Sequence, residues 1–175
     1  MLLILKDSTA EEITINSLFS HWNKIPNETR TFKETQFDPF LEINHSQSGS
    51  LFYKAPNLLE QHYQSPHKGS IIFTNETVKL DFPNRKIELS TENAPMASAL
   101  SQTLLHLLSG NQAQLKKRFN ILYTNLENRG WQLTLIPKVN LKQHIDSIIV
   151  TGNEYTINII QFNQPSGEWR QINFN

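Results

Sequence analysis

The chain has 175 residues, with 16 Lys and Arg balanced by 16 Asp and Glu, and no cysteine. A chain of this length fits one domain spanning residues 1–175, and its folding removes roughly 70% of the unfolded surface from water. The charge balance provides no field that would attract nucleic acid. Without cysteine there is no disulfide framework, thiolate metal site or cysteine nucleophile.

The opening Met1-Leu-Leu-Ile-Leu-Lys-Asp is too short, and too soon charged, for a complete signal peptide. Residues 1–7 read either as a signal remnant, with the small residues Ser8-Thr9-Ala10 behind them, or as an ordinary extension. No apolar run approaches the ~20 residues that span a bilayer. Ser8-Thr9-Ala10-Glu11 has the spacing of a capping box. After it Ile15, Leu18, Phe19 and Trp22 form one apolar helical stripe, which predicts a helix near 8–23 ended by Pro26-Asn27.

From Thr29 to Leu89 the period becomes two, as in Val78, Leu80 and Phe82 alternating with Lys79 and Asp81. Strands are expected over 31–37, 40–44, 50–54, 58–64, 70–74, 78–82 and 86–89. Turn formers separate them, including Asp38-Pro39, Ser48-Gly49, Ala55-Pro56-Asn57 and Pro83-Asn84. A helix follows over about 94–109, with Pro95 in its first turn and Gly110 as its stop. Its apolar face comprises Met96, Ala97, Leu100, Leu104, Leu107 and Leu108, while Ser98, Ser101, Gln102 and His106 are expected outside. A helical turn is expected at 112–116. Strand periodicity resumes over 118–126, 130–136, 145–151, 155–162 and 168–174.

The fold class is therefore α+β, with eleven or twelve antiparallel strands in a single large sheet. Strand twist accumulates, so a sheet of that width must curl, close or be covered. A strongly curved sheet, an incomplete β-barrel with helices over its concave face, meets that need and encloses a space that a ligand can fill.

The order of motifs resembles the LolA family of lipoprotein carriers. Phe32-Lys-Glu34-Thr-Gln36 is followed by Pro39, then by Gly49-Ser-Leu51-Phe-Tyr53-Lys-Ala-Pro56-Asn-Leu-Leu59 and Pro66. Later come Leu115 and Phe119, Gly130-Trp131-Gln-Leu133-Thr-Leu135-Ile-Pro137, and Ile148 with Gly152. The resemblance implies an incomplete barrel of about eleven strands, a helical lid and acyl-chain carriage across the periplasm. It also implies a monomer, with inner- and outer-membrane transfer partners. One departure is Ala55, where the family's lipoprotein carriers place an Arg before the Pro. That Arg is associated with a polar latch between sheet and lid and with cargo release. Its absence favours a relative with different cargo, such as those accompanying lipid-modifying or polyene pigment pathways.

Candidate lining residues of an apolar cavity are Phe32, Leu51, Tyr53, Leu59, Tyr63 and Phe73 from strands. Met96, Leu100, Leu104 and Leu108 join them from the central helix. Each could equally be plain core. Glu34 is read mainly as a carboxylate paired with a cation, and Glu60 with His62 as a surface pair. The histidines show no ligand spacing, and no nucleophile elbow, phosphate loop or dinucleotide fingerprint occurs. No cofactor, metal or catalytic residue is therefore expected. Two other functions share the scaffold: a sensor or interaction domain whose groove binds a protein, and an enzyme on lipid esters using Glu34 or His62.

Overall fold

Thr14 starts the first helix, α1 (Ile15–Trp22), through a reciprocal cap. Its hydroxyl accepts from the Ser17 amide at 3.1 Å, and Ser17 Oγ accepts from the Thr14 amide at 2.9 Å. The computed structural model describes residues 12–175, the side chains of Pro95, Met96 and Asn140 excepted. The capping box expected at Ser8–Glu11 and the Met96 side chain lie outside the described residues. The helix begins at Ile15, with its apolar stripe, because this second Ser/Thr pair supplies the cap.

Among the described residues eleven strands form one antiparallel sheet. The first six are β1 (Asn27–Asp38), β2 (Ile43–Lys54), β3 (Leu58–Ser65), β4 (Gly69–Phe73), β5 (Thr77–Phe82) and β6 (Arg85–Ser90). Two helices follow, α2 (Pro95–Leu108) and α3 (Gln112–Arg118). The chain then returns through β7 (Phe119–Asn125), β8 (Gly130–Pro137), β9 (Ser147–Asn153), β10 (Thr156–Asn163) and β11 (Trp169–Phe174). The order across the sheet is β6-β5-β4-β3-β2-β1-β11-β10-β9-β8-β7, so the first strand pairs with the last in the middle. The sheet does not close, since β6 and β7 remain as its two edges.

Two turns differ from expectation. The run at 40–44 is not a separate strand: Pro39–Glu42 make the β1–β2 turn and β2 continues to Lys54. Ser48-Gly49 is no turn but lies inside β2, at a register shift against β3. A Cβ at Gly49 would stand 2.0 Å from the His62 carbonyl oxygen, so this glycine answers a close strand approach.

One face of the sheet is dry and the other wet. Leu51 and Tyr53, Leu59 and Tyr63, Trp131, Leu133 and Leu135, and Ile148 and Val150 are all buried at alternate positions. The helices divide the dry face. On α1, Trp22 packs on Trp131 of β8 and donates its indole N–H to the Tyr155 carbonyl at 2.7 Å. On α2, apolar residues face β4 and β5. Ser98, Ser101 and Thr103 are also buried, at 7, 3 and 0% exposure, contrary to the outward face expected for the first two. Ser101 and Thr103 tolerate burial by donating to carbonyls one turn back, Ala97 at 2.8 Å and Ala99 at 2.7 Å.

Candidate functional site

Strand phase puts three polar side chains on the dry face beside apolar ones: Glu34 after Phe32, Gln61 between Leu59 and Tyr63, and Arg170 ahead of Ile172 and Phe174. Register sets Arg170 opposite Gln36 of β1 and Phe162 of β10. Arg170 Nη2 donates to Glu34 Oε2 at 2.5 Å, to the Tyr63 hydroxyl at 3.2 Å and to Gln61 Oε1 at 3.4 Å. Gln47 Nε2 donates to the other Glu34 oxygen at 2.8 Å. Arg170 and Gln61 sit three strand spacings apart, roughly 14 Å along a flat sheet. They meet because the sheet curls and both side chains lean along its inner surface.

Burial opposes the Arg170 charge, but Glu34 and Tyr63 outweigh it, and the guanidinium titrates above its ordinary value. Burial, with the Glu34 charge acting in the same direction, pushes the Tyr63 hydroxyl up to about 12 despite Arg170. Glu34 is therefore an acceptor already engaged at both oxygens rather than a free base.

A cavity of about 270 Å³ adjoins this cluster. Its walls are Ile71 and Phe73 of β4, Val78 and Leu80 of β5, Phe162 of β10, and Ala97, Leu100, Ser101 and Leu104 of α2. Gln61 and Arg170 supply its polar part. A second space of about 170 Å³ shares Leu100, Phe162 and Arg170 with it and extends to Gln36, His144 and Glu168. A larger, polar cleft of about 490 Å³ lies between the ends of the helices and the β2–β3 turn, lined among others by Asn23, Tyr53, Ala55, His106 and Asn111. Its mixed walls suit water, whereas the 270 Å³ space is apolar.

Of the residues expected to line a cavity, Phe73, Leu100 and Leu104 line this apolar space. Tyr53 faces the polar cleft, and Leu108 lines a small space beside Trp22. Phe32 packs edge-on against Tyr63 at 5.6 Å, beside Glu34. Leu51 and Leu59, at 1 and 0% exposure, are in the core and line none of these spaces. Sequence reasoning did not single out Gln61, Ile71, Ala97, Ser101, Phe162 or Arg170 as site residues. The available signal was a polar residue in the apolar phase of a strand, as at Gln61 and Arg170. His62 and Glu60 meet at 2.7 Å and are partly exposed. No group of three or more potential metal-ligating acids and histidines occurs among the described residues. Nor is any described helix long and apolar enough to cross a membrane.

Residues 28–175 match the family described as outer membrane lipoprotein carrier protein LolA. Among curated proteins none matches the chain by sequence. Several solved structures are similar to the chain at low identity. A DUF1329 family protein from Desulfovibrio piger is 10% identical with a TM-score of 0.53, over 92% of this chain and 88% of that one. A putative outer membrane lipoprotein-sorting protein domain from Vibrio parahaemolyticus is 11% identical with a TM-score of 0.50, over the same 92% and 88%. A LolA superfamily protein from Nitrosomonas europaea is 11% identical with a TM-score of 0.46, over 93% and 92%.

Proposed function

We propose, from the premise that this chain belongs to the LolA family of outer membrane lipoprotein carrier proteins, that it is a non-enzymatic periplasmic carrier of lipid or lipoprotein acyl chains. The observation that carries this reading is the apolar space of about 270 Å³ between α2 and strands β4 and β5. Each methylene buried there contributes about 0.8 kcal/mol. The engagement of both Glu34 oxygens argues against the lipid-ester enzyme, as does the partial exposure of His62 with no third partner.

Uptake of a fluorescent fatty acid, read beside circular dichroism, tests the proposal. Leu104 lines the space, so Leu104→Glu is expected to stay folded and lose uptake, because the charge must be desolvated by the incoming chain. Leu59 is sealed in the core, so Leu59→Glu is expected to unfold the chain. If the parent takes up no acyl probe and Leu104→Glu unfolds as well, the space is core and the carrier reading is wrong.

A further inference from the structure

We infer that Gln61 and Arg170 form a head-recognition site in this cavity, selecting single-chain ligands that end in a carbonyl oxygen acceptor. The inference rests on the carrier reading and adds to it the chemistry of the ligand's head. Gln61 is 1% exposed, and its Nε2 has no hydrogen-bond partner among the described residues. Its orientation is fixed: Oε1 accepts from Arg170 Nη2, and turning the amide over would set two donors against each other. The amide N–H groups are thus left without an acceptor on a residue that lines the cavity.

Arg170 tells the same story. Its hydrogen bonds to Glu34, Tyr63 and Gln61 all leave from Nη2, while Nε is buried without a partner. The side chain keeps 21% exposure although it starts from an inner strand of the sheet, and it lines both spaces. The third polar residue of the cavity, Ser101, spends its proton on the Ala97 carbonyl. What is unmet in this cavity is therefore donor capacity. An alkyl terminus leaves it unmet, and an ammonium brings a like charge against Arg170. A carboxylate or ester carbonyl answers it, and the five donors of a guanidinium can serve Glu34 and a second oxygen ligand together. The volume, just below the ~300–1,000 Å³ of drug-sized sites, suits one chain rather than several.

The test is displacement of the neutral fluorophore N-phenyl-1-naphthylamine by decanoate, methyl decanoate and decyltrimethylammonium, all below their micellar concentrations. The parent is expected to prefer at least one of the two carbonyl ligands over the cation by about tenfold, the worth of one well-made buried hydrogen bond. Tighter decanoate identifies a free fatty acid as the ligand type, and equal or tighter methyl decanoate an ester. Gln61→Leu is expected to abolish the preference for the carbonyl ligands over the cation. Gln61→Met, of similar length, serves if the leucine variant does not fold. Equal displacement by all three ligands, or a preference that survives loss of the amide, overturns the head site while chain binding stands. Failure of the parent to bind the fluorophore or any ligand overturns the carrier reading and this inference with it.

Discussion

At the scale of single residues, Glu34 shows how a charge is tolerated inside an apolar sheet. It is 1% exposed and holds Arg170 at 2.5 Å, with Gln47 on its other oxygen. Such a pair costs desolvation at both ends, so its worth lies in not being broken. Glu34→Ala leaves Arg170 without its counterion and is expected to lower unfolding free energy by about 3–5 kcal/mol. Urea denaturation measures this. The double variant Glu34→Leu with Arg170→Met is expected to lose much less than the two single changes summed, because neither charge is then stranded. Tyr63, pushed up to about 12, stays protonated throughout and contributes no pH dependence near neutrality.

Among the elements, α2 carries a pH dependence of stability. Burial, and then the Arg118 charge, lower the pKa of His106 on this helix. Arg118 is tied to α2 through Gln102 at 2.8 Å. The folded state thus binds a proton at His106 less readily than the unfolded chain, whose histidines titrate near ~6.5. The unfolded chain takes up more protons below that pH, so stability is full above it and is lost as pH falls through the lower folded value. Thermal melts from pH 7.5 to 5 are expected to show a falling midpoint, with a shallower slope in His106→Gln. Elements of this kind were legible in the sequence because period and punctuation agree. Pro95 and Gly110 bracket α2, and Leu133 with Leu135 mark β8 as plainly as any strand. Less legible were features that depend on partners far away in the chain. Gly49 looks like a turn until His62 is brought beside it, and Ser101 looks like an outer-face residue until its hydroxyl is bonded to its own helix. The apolar side chains of β5 were visible, but the meeting of Gln61 with Arg170 across β1 and β2 follows only from the curl of the sheet.

For the whole molecule, Ala55 bears on how sheet and helices are held together. It lines the polar cleft of about 490 Å³ at the ends of α1 and α2, alongside Ser109 and Asn111. The resemblance implies an Arg at this position, associated with a polar latch between sheet and lid, and a methyl group cannot span the cleft. This protein is therefore expected not to restore growth to a Gram-negative host depleted of its own lipoprotein carrier, and a complementation assay decides it. The strand order carries a further mechanical meaning. Strands β6 and β7 are the opposite margins of the sheet, yet in the chain only the segment with α2 and α3 separates them. That segment is a string drawn between the two tips of a bow. Flattening the bow moves its tips apart and tightens the string, and slackening the string lets the bow close. The space beneath α2 and the seat of the helices therefore change together, and anything bulkier seated there would be felt at both margins at once.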